Sequence, residues 1–176
     1  MFGALGQRRT RVLAATLCVV AVGAACSSVK GVPTSDVPAA PVGARGPSAV
    51  APAAVIAAVN QMRATHGLPS YARNAQLDVL ARGWSSHMAA AGQFAHRDLQ
   101  ATIERPEFGG YQQLGENILR GACALGASEM VKAWMDSPGH RDNLLSPLYD
   151  TTGVGVVCAS DGQVWVTQNF GAPLTP

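Results

Sequence analysis

The chain has 176 residues, enough for one domain with a buried core and too few for two comfortable ones. Hydrophobic residues make up 48% and charged residues 14%, which argues against wholesale disorder, while 11 prolines and 19 glycines call for at least one non-compact stretch. The formal charge of +2 owes much to Arg8, Arg9 and Arg11: beyond residue 25, ten basic residues face eleven acidic ones, a net of −1. That balance supplies no basic face for nucleic acid, and the composition does not suit a multi-span membrane protein.

Val12 to Ala25 is an apolar run of 14 residues behind the cluster Arg8-Arg9-Thr10-Arg11. A bilayer core needs about 20 apolar residues, so residues 1–25 read as a secretory signal peptide with a positive start and a short apolar centre. Gly23-Ala24-Ala25 before Cys26, with Ser27-Ser28 after it, resembles a bacterial lipobox, although an aliphatic residue is usual where Gly23 stands. Two readings follow, a lipid anchor on Cys26 or simple secretion. With Cys18 inside the signal and Cys26 lipidated, Cys123 and Cys158 remain as an even pair, expected to oxidise to a disulfide in an exported domain. A nucleophilic thiol is the alternative. Residues 26–51 carry Pro33, Pro38, Pro41 and Pro47 with Gly31, Gly43 and Gly46, and read as a tether. A flexible segment of that length spans about 30 Å.

The folded region is expected over residues 52–173. Pro52 suits a first helical turn, and Val55, Ile56, Val59 and Met62 then share one face of a helix stopped by Gly67. Asn74 is a good cap for a second helix with Leu77, Leu80, Ala81, Trp84, Met88 and Ala91 on one face and Gly92 at its end. Residues 97–113 are polar, contain Pro106 and Gly109-Gly110, and show no sustained period, so a long loop is expected. Ile118-Leu119 is expected to begin a strand. A helix from Ala127 to Trp134 and a short one opened by Ser137-Pro138 and closed before Pro147 follow. The period then changes to two over Val154–Cys158 and Val164–Asn169, and Asp161-Gly162 predicts a type I′ hairpin between them. Helices first and a hairpin last indicate an α+β fold with an antiparallel sheet.

Four histidines follow the signal, and His66 and His87 are each explained as helix-end or helix-surface residues. Three segments carry a resemblance: Gln93-Phe94-Ala95-His96, Gly115-Glu116-Asn117-Ile118, and Trp134-Met135-Asp136-Ser137-Pro138-Gly139-His140-Arg141-Asp142-Asn143-Leu144-Leu145. With Gly153-Val154-Gly155 and the closing Trp165-Val166-Thr167-Gln168-Asn169-Phe170-Gly171, they resemble the bacterial branch of the CAP superfamily (cysteine-rich secretory proteins, antigen 5 and pathogenesis-related proteins) over about residues 52–172. The resemblance implies a three-layer α-β-α sandwich with a central, mainly antiparallel sheet and a cleft holding His96, Glu116 and His140. Two imidazoles and a carboxylate suit a divalent ion, with Zn²⁺ the best match, and leave a fourth position to water. Animal members commonly add a glutamate near the tryptophan; this chain has Asp136 there instead, and Glu129 does not match. A structural alternative stays open, in which the three side chains form a hydrogen-bonded cluster that fixes loops against the sheet. Asn117 is expected to satisfy nearby backbone groups or to contact ligand, and Arg141 to face an acidic neighbour or an anionic ligand.

Two functions compete, beside a third reading as a purely structural surface domain whose tether and lipid matter more than its cleft. The first is a non-enzymatic extracytoplasmic binding module for a metal ion or for a small, lipidic or cell-envelope ligand, which the resemblance favours. The second is a metal-dependent hydrolase, a protease or esterase, with Glu116 as ligand or general base. No His-Glu-x-x-His helix or Gly-x-Ser-x-Gly elbow supports the second.

Overall fold

The computed structural model describes residues 49–174; the signal peptide, Cys26 and most of the tether lie outside the described residues. Helix α1 covers Pro52–Thr65, opens on its proline, and buries Val55, Ile56 and Val59. Gly67 follows in the left-handed region at φ +69°, which lets the chain turn away from the helix end. A short strand β1 (Ala72–Arg73) leads into α2 (Ala75–Ala91). Asn74 caps α2 by accepting from the Gln76 and Leu77 N–H groups, and Gly92 ends it at φ +63°.

The remaining elements are α3 (Leu99–Ile103), a 3-10 turn over Pro106–Phe108, β2 (Tyr111–Ala122), α4 (Ala127–Met135), α5 (Pro138–Leu145), β3 (Thr151–Cys158) and β4 (Gln163–Pro173). The four strands lie in the order β1-β3-β4-β2, with β1 parallel to β3 and the other pairs antiparallel. α2 and α3 cover one face of the sheet, and α1, α4 and α5 cover the other. The fold is the α-β-α sandwich expected. Its larger core joins Val55 and Val59 of α1, Trp134 of α4 and Leu144 of α5 to Val154, Val166 and Phe170 of the sheet.

The α2 layer sits hard against β3, and two glycines permit it. A Cβ at Gly153 or Gly155 would lie 2.2 Å from backbone atoms of α2, at Asp78 and Arg82 respectively. Across the sheet, the outer edge of β2 is capped by side chains. Asn143 donates to the Glu116 carbonyl at 3.2 Å and Trp134 to the Ile118 carbonyl at 3.0 Å, which removes two acceptors an open edge would offer to another strand. Cys123 and Cys158 form a disulfide that ties the end of β2 to the end of β3, with a sequence separation of 35. The chain-entropy model values such a crosslink at about 3.8 kcal/mol.

Arg63 also belongs to the buried face of α1, which the sequence reading did not include. It is 1% exposed. Its Nε donates to the Pro69 carbonyl at 2.8 Å, its Nη1 to the carbonyls of Leu144 and Ser146 at 2.8 and 3.0 Å, and its guanidinium lies 3.6 Å from the Tyr71 ring centroid. The Tyr71 hydroxyl donates to the Asn143 carbonyl at 2.9 Å. Burial lowers the Arg63 pKa and pushes Tyr71 up to about 12. Together they pin the C-terminal end of α5, the helix that carries His140.

Four further expectations are corrected. The segment 97–113 is not one loop: Asp98 caps α3 by accepting from the Ala101 N–H, and Leu99 and Ile103 pack on Leu77, Leu80, Phe108 and Leu114. β2 begins at Tyr111, well before Ile118. The hairpin between β3 and β4 has a three-residue loop, Ser160–Asp161–Gly162, in place of a type I′ turn; Ala159 still pairs with Gln163, the Gly162 N–H bonds the Ala159 carbonyl, and Gly162 takes φ +81°. Ala91 is exposed, because α2 ends beyond the edge of the apolar cluster that Met88 joins.

Candidate functional site

The site forms where three elements meet at the β2 edge of the sheet. Strand alternation sends Glu116 to the α2 side with Leu114 and Ile118, and Asn117 to the α5 side. The chain returning from α2 brings His96 over Glu116, and α5 presents His140 in its first turn. The His96 and His140 ring centroids are 6.0 Å apart. All three predicted side chains are thus brought to one place.

Glu116 is 4% exposed, and its partners are specific. Its Oε1 accepts from His96 Nδ1 and from the Arg97 backbone N–H, both at 3.0 Å, and its Oε2 lies 3.5 Å from Asn169 Nδ2. A backbone N–H can only donate, so Oε1 acts as an acceptor and the imidazole supplies a second donor, Nδ1–H. That bond fixes the His96 tautomer and leaves Nε2 as its free nitrogen. The His96 side chain is 55% exposed beside a carboxylate that is 1% exposed, so the pair joins the interior to solvent.

His140 is held from behind. Its carbonyl accepts from Asn117 Nδ2 at 3.0 Å, and Asn117 Oδ1 accepts from Asn143 Nδ2 at 3.0 Å. Asn117 is fully buried, and these bonds use its amide to position α5. Partial burial lowers the His140 pKa, and the neighbouring His96 adds to the effect. Arg141 is exposed on the same helix, with Nη1 3.4 Å from the Met135 carbonyl. Asp136 is spent on Lys132 at 2.6 Å, and Glu129 accepts from the Gly126 N–H at 2.7 Å to start α4. His66 bonds at the end of α1, and His87 stacks on Trp84 with centroids 4.7 Å apart.

Among the described residues, no group of three or more His, Cys, Asp and Glu side chains is arranged to hold a metal ion. Oε1 of Glu116 is engaged with His96 and Arg97, and its Oε2 lies 3.5 Å from Asn169 Nδ2. Two surface cavities are formed by the described residues. One of about 190 Å³ sits between α1 and α4, lined by Ala58, Gln61, Met62, Thr65, Ser128 and Val131. The other, about 380 Å³, lies between α2 and the segment from Arg97 to Phe108. Neither is lined by His96 or His140.

Sequence reasoning missed Arg97 and Asn169 as partners of Glu116. Arg97 reaches Glu116 through its backbone N–H, which leaves no mark on residue type, whereas Asn169 uses its side-chain Nδ2 and lies inside a quoted motif.

Residues 56–170 match the model of the cysteine-rich secretory protein family, CAP. The chain belongs to the CAP family. It is 35% identical over 123 residues to the uncharacterized protein YkwD of Bacillus subtilis, a match covering 66% of this chain and 46% of YkwD. It is also similar to the crystal structure of an extracellular protein containing a SCP domain from Bacillus anthracis, with 30% identity, a TM-score of 0.56, and coverage of 66% of this chain and 38% of that one. An outer surface protein from Borrelia burgdorferi shares the fold, with a TM-score of 0.60 at 16% identity over 68% of this chain and 90% of that one. The chain thus spans less than half the length of YkwD and of the Bacillus anthracis protein. Among the described residues no helix is long and apolar enough to cross a membrane.

Proposed function

We propose that this CAP-domain protein is an exported, non-enzymatic binding module whose cleft takes the polar end of a small ligand, or a divalent ion, between His96 and His140. The observation that carries this reading is the commitment of Glu116. A general base needs a carboxylate oxygen free to reach a substrate proton, whereas Glu116 is buried and hydrogen-bonded to His96 and to the Arg97 N–H. Its role is to orient His96. A Zn²⁺ ion, if bound, would be held by the two imidazoles and would supply Lewis acidity to whatever donor completed its shell. Glu116 would stand behind His96 as its hydrogen-bond partner. Asn117 acts from behind His140, and Arg141 stands exposed where it can meet an anionic part of the ligand. Export, and the choice between a lipid on Cys26 and release, rest on the character of residues 1–26.

The test is a Zn²⁺ titration by calorimetry of the purified protein and of His96→Ala, His140→Ala and Glu116→Gln, with a chromogenic ester and a peptide substrate assayed in parallel. The reading expects binding abolished by either histidine substitution, weakened about 10- to 100-fold by Glu116→Gln, and no turnover. Turnover that disappears in Glu116→Gln would establish the hydrolase instead. Equal zinc affinity in all four proteins would remove the cleft as the binding site.

A further inference from the structure

The cavity between α2 and the segment from Arg97 to Phe108 carries features that the His96 cleft does not use. Arg97 and Arg105 both line it, against a single acidic residue, Glu107. Glu107 is paired with Arg105. Arg97 has no carboxylate partner among the described residues. Its Nη2 donates to the Leu80 carbonyl at 2.8 Å, its guanidinium lies 5.0 Å from the Trp84 ring centroid, and its Nε is buried without a partner. A cation covered in this way is under-compensated, because a carbonyl and a ring face replace less hydration than a carboxylate would. Burial lowers its pKa, Glu116 raises it, and Arg105 lowers it further. The rest of the lining is Gln76, Gly83 and three apolar side chains, of which Leu80 and Phe108 are buried and Val79 is 74% exposed.

We propose that this cavity is a second ligand site, which takes a small anionic amphiphile with a phosphate or carboxylate head at Arg97 and Arg105 and an apolar body along Val79, Leu80 and Phe108. Its volume of about 380 Å³ falls at the small end of the range for ligand pockets, roughly 300–1,000 Å³. Guanidinium forks match the oxygens of both heads, and the surplus of one positive charge over Glu107 selects anions. The site is distinct from the histidine cleft, yet adjoins it: the Arg97 backbone N–H and His96 Nδ1 share the same oxygen of Glu116.

Calorimetry of the purified protein with octyl phosphate below its micellar concentration tests this, with octyl glucoside as the neutral amphiphile and inorganic phosphate as the head alone. Octyl phosphate is expected to bind at least tenfold more tightly than either control. Arg105→Gln and Val79→Asp, both at exposed positions, are expected to weaken it at least fivefold with unchanged thermal midpoints. Ser128→Trp, which fills the cavity between α1 and α4, should leave it unaltered, as should His140→Ala. Undiminished binding in Arg105→Gln and Val79→Asp, or loss of binding in Ser128→Trp, would overturn the assignment. Equal affinity for octyl glucoside would remove the anion, and equal affinity for inorganic phosphate would remove the apolar body. Because His140→Ala is expected to affect the cleft and not this cavity, failure here is separable from failure of the cleft reading.

Discussion

Two buried charges lie on opposite faces of the sheet and are treated differently. Arg63, under α1, gives its hydrogen bonds to carbonyls of Pro69, Leu144 and Ser146 and its face to Tyr71, all internal to the fold. Glu116, under the end of α2, accepts its closest bonds from the Arg97 N–H and from His96, whose ring stands largely in solvent. A buried ion whose partners are all interior can only hold the structure together. One whose partner is a half-exposed imidazole also sets the tautomer and aim of a group that meets ligand. The comparison teaches where to look for function: at the buried charge with an exposed partner.

The largest expected effect breaks the structural side. Arg63→Ala removes the guanidinium donor from three carbonyls, of which Leu144 and Ser146 keep only the Tyr71 hydroxyl within reach, and opens a cavity under Tyr71, a combination expected to cost about 3–5 kcal/mol; chemical denaturation that shows less than about 1 kcal/mol would contradict the anchoring role. Next comes the close approach of α2 to the sheet. Gly155→Ala places a Cβ 2.2 Å from the Arg82 backbone and should cost about 1–3 kcal/mol as α2 is displaced, read from the same unfolding curves. Asn117→Ala removes the amide that bridges His140 and Asn143, with an expected cost of about 1–3 kcal/mol and a weaker Zn²⁺ isotherm; unchanged zinc affinity would mean that α5 is positioned without it.

The smallest effect is one of pH. The His140 pKa is lowered in the fold by burial first and by His96 second, so the unfolded chain takes up its proton more readily than the native protein. Stability is therefore expected to decline as pH falls through the ordinary histidine range, about 6.5, and the decline from this residue to level off below its native value. His140→Gln should flatten that part of the profile. A profile identical to the parent protein would mean that His140 carries no such penalty.

Much of this fold is legible because its signals are local. Asn74 caps α2 with its side chain and Gly92 ends it, Pro52 opens α1, and Pro138 opens α5 after Ser137, whose side chain makes no capping bond. What was not legible depends on partners distant in the chain. α3 is a five-residue helix whose Leu99 and Ile103 have a reason to be apolar only because Leu77 and Leu114 lie against them. β1 is two residues paired with β3, far too short to show a period. Arg63 looks like a favourable basic residue in the last turn of a helix, and nothing local announces that α5 will close over it. The site divides the same way. His96, Glu116 and His140 came from a pattern of separated motifs, and the fold brings them together. Residue types suggested three ligands around a metal; the geometry shows Glu116 Oε1 accepting from His96 and from the Arg97 N–H, and residue type does not carry the distinction between metal ligand and imidazole partner.

That distinction is open to direct observation by long-range ¹⁵N–¹H correlation NMR of the His96 ring at a pH where it is neutral. A proton on Nδ1, with Nε2 showing the shift of a bare nitrogen, is the expected result, and it should be lost in Glu116→Ala. A neutral ring protonated on Nε2, with the same spectrum in Glu116→Ala, would show that the carboxylate does not orient the imidazole.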